Sequence, residues 1–223
     1  VDNKIKVIQK TKYLFKYISI MQNIKNIYNF YQSSGVYDRI IFQHKNIKNQ
    51  TTIIDLKQKI LALKEVYGKT KEQLVLSDGN IQSKIMIIGD MPGVSDEISN
   101  QPFSGDVGVL LNKMLNAIEL DRSKVYLTNI INYRLADNKK PNLSDISRFK
   151  PLVLEHIEIC KPVVILLLGS VAFETFFGNK NSIAKARGNW LDLTIKGKKI
   201  KCLPSYHPFF LIRQPEQKKY SWE

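Results

Sequence analysis

The sequence predicts an α/β fold, a three-layer α/β/α sandwich with a mostly parallel central sheet. From about residue 70 onward, short apolar runs alternate with amphipathic helical segments. That order is typical of a parallel sheet covered by helices. The run at residues 162–168 is almost entirely aliphatic, as in strands that are buried on both faces. No internal repeat interrupts this pattern.

The individual elements follow from local patterns. Strands are predicted at residues 74–76, 84–88, 124–129 and 162–168, with a strand pair at 190–195 and 200–203. Helices are predicted at residues 108–118, 144–160 and 171–177, and Asn142 or Ser144 is a good N-cap for the second of them. The segment Ser77–Asn80 contains Asp-Gly and is predicted to be a turn.

The N-terminal part is predicted to be a helical extension, residues 1–70, packed on a domain of residues 71–223 as one structural unit. Apolar residues recur every three or four positions over residues 4–32, before a polar, irregular stretch. A second helix is predicted over residues 55–67, ended by Gly68. Its buried face would carry Leu56, Ile60, Leu63 and Val66.

Composition limits the classes of function. The net charge of +14 favours a polyanionic partner such as nucleic acid, although AT-rich coding, which enriches Lys, Ile and Asn together, explains the same excess equally well. The longest apolar runs are far too short to cross a membrane, so we expect a cytoplasmic protein without a membrane partner. The two cysteines, Cys160 and Cys202, lack neighbours at metal-ligand spacing and are expected to be buried thiols.

Four side chains with complementary chemistry are predicted to converge at one sheet edge. Asp90 and Asn129 end two predicted strands, Phe103 follows the first of them, and His207 follows the last. The carboxyl ends of parallel strands share an edge, where open α/β sheets bind ligands. Taken singly, each residue has an ordinary structural interpretation: a turn-capping Asp, a loop-stabilising Asn, a core Phe and a surface His.

Together, the four side chains are suited to the hydrolytic removal of a nucleobase. An aromatic face can stack a flipped base while an amide reads its edge. A carboxylate can orient water and stabilise an oxocarbenium-like sugar, as in glycoside hydrolysis. An imidazole N–H can stabilise the departing base anion.

Several short motifs occur in a fixed order from about residue 74 to the end. They are Gly89-Asp90-Met91-Pro92-Gly93, Pro102-Phe103-Ser104-Gly105, Gly108-Val109-Leu110-Leu111, Thr128-Asn129, the strand from Pro162 to Gly169, Arg187-Gly188-Asn189-Trp190, and His207-Pro208 followed by Leu211 and Arg213. With these motifs the chain resembles the family 4 uracil-DNA glycosylases, within the uracil-DNA glycosylase superfamily. The resemblance implies a monofunctional DNA repair enzyme that hydrolyses the N-glycosidic bond of flipped uracil. It would release free uracil and leave an abasic site.

The resemblance also implies residue roles. Asp90 and His207 would be catalytic, and DNA containing uracil would be the partner of a monomeric protein. Phe209 or Leu211 would be an apolar wedge that fills the gap left in the DNA base stack when uracil flips out. The implied substrate-binding residues are Gly89, Met91, Phe103 and Asn129, and the implied DNA-binding residues are Arg187, Ser205, Pro208, Leu211 and Arg213.

The chain departs from the family pattern in two respects. Asp90 replaces a glutamate and Met91 a small residue, which leaves an alternative: an impaired relative that binds DNA or damaged bases without cleavage. The family also binds a [4Fe–4S] cluster through four cysteines, and Tyr133 and Phe149 stand where two of them would be. Two cysteines elsewhere cannot supply four ligands, so we predict no cluster and aromatic packing in its place.

Overall fold

A computed structural model describes residues 52–136, 139–179 and 182–221. Its centre is a six-stranded sheet in the order β1-β3-β2-β4-β6-β5. The strands are β1 (Ser77–Gly79), β2 (Ile85–Gly89), β3 (Tyr126–Asn129), β4 (Val164–Leu168), β5 (Leu191–Ile195) and β6 (Lys198–Ser205). The four inner strands are parallel, and β1 and β5 run antiparallel at the two edges. The predicted fold class is therefore confirmed.

Helices cover both faces of this sheet. The helices are α1 (Ile53–Leu61), α2 (Val94–Ser99), α3 (Gly105–Asn116), α4 (Leu143–Cys160), α5 (Ser170–Phe177), α6 (Ile183–Ala186) and α7 (Pro208–Arg213). Short 3₁₀ turns occupy Lys64–Tyr67, Lys71–Gln73, Arg122–Lys124 and Pro215–Ser221. In the described ranges, no helix is long and apolar enough to cross a membrane.

Alternate residues of β2, β3 and β4 supply two separate cores, as expected for strands whose side chains point to opposite faces. Met86 and Ile88 of β2 pack in the core formed with α1, α4 and α5. Ile87, between them, packs in the other core with Leu111 and Leu115 of α3. Both cysteines are buried and free, as predicted.

The strand register aligns one row of residues at the carboxyl edge of the sheet. Gly89 of β2 pairs with Asn129 of β3 and with Leu168 of β4. Leu168 in turn pairs with Ser205 of β6. The chain leaves β2 for β3 on one side and reaches β4 on the other, which is the kind of switch point where α/β sheets bind ligands.

Three sequence predictions differ from the structure. The first strand lies at Ser77–Gly79, later than predicted, because Asp78-Gly79 pairs with β3 instead of forming a turn. The helix predicted over residues 55–67 ends at Leu61, and after the 3₁₀ turn Gly68 has a left-handed backbone. Val66 is consequently exposed, and Tyr67 packs inward in its place. The predicted helix at residues 4–32 lies outside the described residues, and the extension packed on the core remains a prediction.

Candidate active site

Gly89, Phe103, Asn129 and His207 form a closely packed group at the carboxyl edge, here called the Gly89 slot. A Cβ atom on Gly89 would lie 2.6 Å from the Phe103 ring and would also collide with Oδ1 of Asn129. Glycine is therefore required at the end of β2, because both side chains lie directly against its backbone. Phe103 is 1% exposed and Asn129 is 2% exposed.

The Asn129 amide has an unused donor. Within the described part of the chain, its Nδ2 atom is buried and lacks a hydrogen-bond partner. A buried amide without a partner is costly and rare in folded proteins. The same strand end offers a contrast, because Nδ2 of buried Asn132 donates to the Val75 carbonyl at 3.0 Å. Of these two buried asparagines, Asn129 alone keeps an unused donor; Nε of Arg187 and Oγ of Ser221 are the other buried side-chain atoms without a partner among the described residues.

His207 lies against Phe103 in a fixed tautomer. The two rings are stacked, with centroids 5.5 Å apart and planes inclined by 22°. Nδ1 of His207 accepts the Phe209 backbone N–H at 3.1 Å, which caps α7. Burial lowers the pKa of His207 to about 4. The ring is thus neutral at pH 7, and its proton lies on Nε2, since Nδ1 is an acceptor.

Asp90 follows Gly89 directly, and its carboxylate points to the start of α5. Oδ1 accepts the Ala172 backbone N–H at 2.7 Å. A Cβ on Gly169 would lie 2.5 Å from the same oxygen, and Gly169 has a φ of +111°. Loss of hydration raises the pKa of Asp90 to about 7, and the Ala172 amide partly opposes that shift. The carboxyl group therefore titrates near neutral pH.

Met91 follows Asp90 and contacts the core. Its half-buried side chain packs against the core shared by α1, α4 and α5. A core contact accounts for a large apolar residue at this position.

The residues predicted to contact DNA lie on and around α7. Arg213 is exposed, with its guanidinium 5.8 Å from the Phe209 ring centre. Ser205 is half-buried and Pro208 is buried. Arg187 lies over the rings of Tyr206 and Tyr220, at 5.3 and 4.4 Å from their centres.

The two wedge candidates differ in exposure. Leu211 is 1% exposed, whereas Phe209 is 54% exposed. Leu211 is an inward-facing residue of α7, and Phe209 is on its outer surface. Of the two, Phe209 is the one accessible at the surface.

Two of the positions where the family's cluster ligands would lie, Tyr133 and Phe149, do not fit a thiolate cluster. The rings of Tyr133 and Phe149 are fully buried. They pack on Tyr67, with ring centres 6.1 and 5.5 Å from its own. Among the described residues, His, Cys, Asp and Glu do not form any group of three that could hold a metal ion. Tyr67, Tyr133 and Phe149 are here called the aromatic cluster.

Sequence reasoning missed the residues that hold the loop between β2 and α3. Asp96 is buried, and its two oxygens accept the backbone N–H groups of Gly93 and Ser104, at 2.9 and 2.5 Å. The spacing of Gly93 and Asp96 resembles a capping box and was a usable signal. Arg122, which holds the other side of this loop, has no such local signal.

Comparison with known proteins identifies the family. The family model described as "Uracil DNA glycosylase superfamily" matches residues 76–223. This chain belongs to the uracil DNA glycosylase superfamily. The described strands β1 to β6 and helices α2 to α7 all lie within the matched range.

Several relatives share the name Type-4 uracil-DNA glycosylase. The Type-4 uracil-DNA glycosylase of Thermotoga maritima is 34% identical over 144 residues, covering 64% of this chain and 73% of the relative. That of Saccharolobus solfataricus is 33% identical over 156 residues, covering 68% and 72%. That of Archaeoglobus fulgidus is 30% identical over 152 residues, covering 66% and 76%. These relatives agree with the family 4 resemblance of the sequence motifs.

Proposed function

We propose that this protein is a DNA repair enzyme that removes uracil from DNA by hydrolysing its N-glycosidic bond. The observation that carries the proposal is the unpartnered amide donor of Asn129, buried beside an aromatic ring and a neutral imidazole. A flat, polar ligand with a carbonyl acceptor would complete this site. The names of the relatives support uracil as that ligand.

Asn129 selects uracil over cytosine by hydrogen-bond polarity. Uracil presents an O4 acceptor and an N3–H donor on its pairing edge, whereas cytosine presents an amino donor and an N3 acceptor. An amide offers one acceptor and two donors. Cytosine in the same orientation would place donor against donor at Nδ2, and a buried mismatch of this kind strongly disfavours binding.

Phe103 and His207 contact the ring face and a carbonyl oxygen of uracil. The Phe103 ring is the stacking surface for the flipped uracil. Nε2–H of neutral His207 donates to a uracil carbonyl oxygen, where negative charge grows as the bond to the sugar breaks. Because this imidazole is already neutral, it stabilises the anion as a hydrogen-bond donor without giving up its proton.

Asp90 acts on the sugar side of the reaction. As the N1–C1′ bond breaks, its electron pair leaves with uracil, and positive charge develops on C1′ and the ring oxygen. The carboxylate stabilises this charge and orients a water whose oxygen forms the new bond to C1′. The water loses one proton to Asp90 or to solvent, the uracil anion takes up one proton from solvent, and the products are uracil and an abasic site. No step uses an iron–sulfur cluster.

DNA is held by the basic surface around α7. Phe209 is proposed as the wedge that fills the vacated stack, with exposed Arg213 beside it at the phosphates. Ser205, Pro208 and Arg187 are proposed to support this contact, and Leu211 anchors α7 from inside. A net charge of +14 favours this association.

The test is uracil release from synthetic duplexes that contain one uracil, one cytosine or one thymine at the same position. Purified protein should release uracil alone and leave alkali-labile abasic sites. Asp90→Asn should reduce the rate by a factor on the order of 10² to 10³ while binding the duplex normally. Duplex binding without any release would instead establish the alternative, a non-cleaving relative.

A further inference from the structure

The Phe103 ring is held in the slot by a backbone conformation that phenylalanine rarely adopts. Its φ is +56°, in the left-handed region. A bulky residue persists there only when its surroundings impose the conformation. The ring's position against Gly89 and His207 therefore depends on whatever holds the backbone of residues 102–103.

Arg122 provides that hold. Its Nη1 donates to the Pro102 carbonyl at 3.2 Å, and its Nη2 donates to the Phe103 carbonyl. Both peptide oxygens that bracket the left-handed residue are thus bound by one guanidinium. The guanidinium therefore binds the backbone on both sides of the Phe103 Cα atom.

The guanidinium is itself fixed from two other elements. Its Nη1 also donates to Asp78 of β1 at 2.5 Å, and its Nε donates to Asn112 of α3 at 2.9 Å. All three guanidinium nitrogens therefore donate hydrogen bonds. The planar, forked arrangement of these donors distinguishes arginine from lysine. The rigid sheet and α3 are linked through Arg122 to the Phe103 backbone.

Gly108 of α3 leaves room for the backbone of Phe103. A Cβ on Gly108 would collide with the Phe103 carbonyl oxygen and lie 3.2 Å from Nη2 of Arg122. The carbonyl that Arg122 binds therefore lies directly on the helix backbone. Gly108 and Arg122 together define where that oxygen can sit.

We propose that Arg122 is a positioning residue, which fixes the Phe103 ring against His207 by binding the carbonyls of residues 102 and 103. The activity readout of this proposal rests on the proposed uracil excision, whereas its structural readout does not. Arg122→Lys removes the fork but keeps the charge, so the single ammonium cannot hold both carbonyls together with Asp78 and Asn112.

The structural readout is the NMR spectrum of histidine ring protons. The chain has three histidines, and His207→Gln identifies the signal of His207. The stacked Phe103 ring shifts that signal through its ring current. Arg122→Lys should move the His207 signal, while buried His156, hydrogen-bonded to Tyr126 at 2.7 Å, should keep its signal and report an intact fold.

Two further variants make the result decisive. Gly108→Ala should displace the same carbonyl and move the same His207 signal, although alanine favours the helix, so it serves if Arg122→Lys fails to fold. Arg148→Lys is the matched control, since Arg148 pairs with Asp145 at 3.8 Å on a different helix. An unmoved His207 signal in folded Arg122→Lys and Gly108→Ala overturns the proposal, whatever the activity.

Excision kinetics then separate the two proposals. If the wild-type protein is active, Arg122→Lys should lose on the order of tenfold to a hundredfold in kcat/KM. Free uracil should inhibit this variant more weakly than it inhibits the wild type. The variant should bind uracil-free duplex normally. Wild-type kinetics in both Arg122→Lys and Gly108→Ala would refute the positioning role and leave the proposed function intact. An inactive wild-type protein would refute the proposed function, with Arg122 still judged by the His207 signal.

Discussion

Asn129 of the Gly89 slot ends β3 and Tyr133 of the aromatic cluster follows it closely, yet the polar atoms of the two regions differ in their hydrogen bonding. In the aromatic cluster, Tyr67 donates to Asp145 at 3.0 Å and Tyr133 donates to the Ile60 carbonyl at 3.4 Å. In the slot, the Asn129 donor is buried without a partner among the described residues. A region with its hydrogen bonds complete is built for stability, whereas one that keeps an unused donor is built for a ligand.

Changing the aromatic cluster should have the largest effect, and that effect should be on stability. Phe149→Ala removes a fully buried ring and should lower the free energy of unfolding by about 3–5 kcal/mol. Thermal or urea unfolding measures this loss, and excision per folded molecule should stay at the wild-type rate. Phe209→Ala, at an exposed site, should leave the melting temperature unchanged. Equal melting temperatures for both variants would show that the cluster is not a core.

Filling the slot should have the next largest effect, and it should be on activity. Gly89→Ala places a methyl group against Phe103 and Asn129 and should lower kcat/KM by about 10²-fold. Gly93→Ala, in the same loop, is the control, since the nearest atom to its Cβ is 3.9 Å away. Similar losses in both variants would mean that the loop, and not the slot, limits the reaction.

The pH dependence should follow Asp90. The carboxylate is the active form, and its pKa is raised to about 7 by burial, with Lys140 opposing and Glu174 adding to the shift. Below pH 7, kcat/KM should therefore fall about tenfold per pH unit. His207 stays neutral throughout this range, because its pKa is lowered to about 4. A flat profile from pH 5 to 8 would exclude Asp90 as the titrating group.

The same shift also makes a prediction about stability. A folded pKa above the unfolded value of 3.8 means that the folded state binds the proton more tightly. The contribution of Asp90 to stability is therefore most favourable below pH 3.8 and declines as pH rises to about 7. Asp90→Asn should be more stable than wild type at pH 8, with no such gain at pH 4.

The smallest effect is expected at Met91. Its side chain packs on the core, so Met91→Ala should change kcat/KM by less than about twofold and cost about 1 kcal/mol of unfolding free energy. A large rise in rate would show instead that Met91 narrows the water site.

The sequence predicted the parts of the fold that depend on local patterns. The aliphatic runs of β2 and β4 identified the sheet, and the strand ends placed Asp90 and Asn129 at its carboxyl edge. Asp78-Gly79 was mistaken for a turn because its pairing with β3 and the Asp78–Arg122 ion pair are tertiary contacts. The left-handed backbone of Phe103 is likewise imposed from distant elements, so no local pattern could reveal it.

The central claim is that the unused Asn129 donor is kept for a base, at a cost in stability. Asn129→Leu and Asn132→Leu test it together, by uracil excision and thermal unfolding of each. Asn129→Leu should abolish excision while keeping or raising the melting temperature, since it removes an unsatisfied group. Asn132→Leu should lower the melting temperature, because it leaves the Val75 carbonyl unpaired, yet it should retain excision. An Asn129→Leu protein that unfolds earlier and still releases uracil would contradict the account.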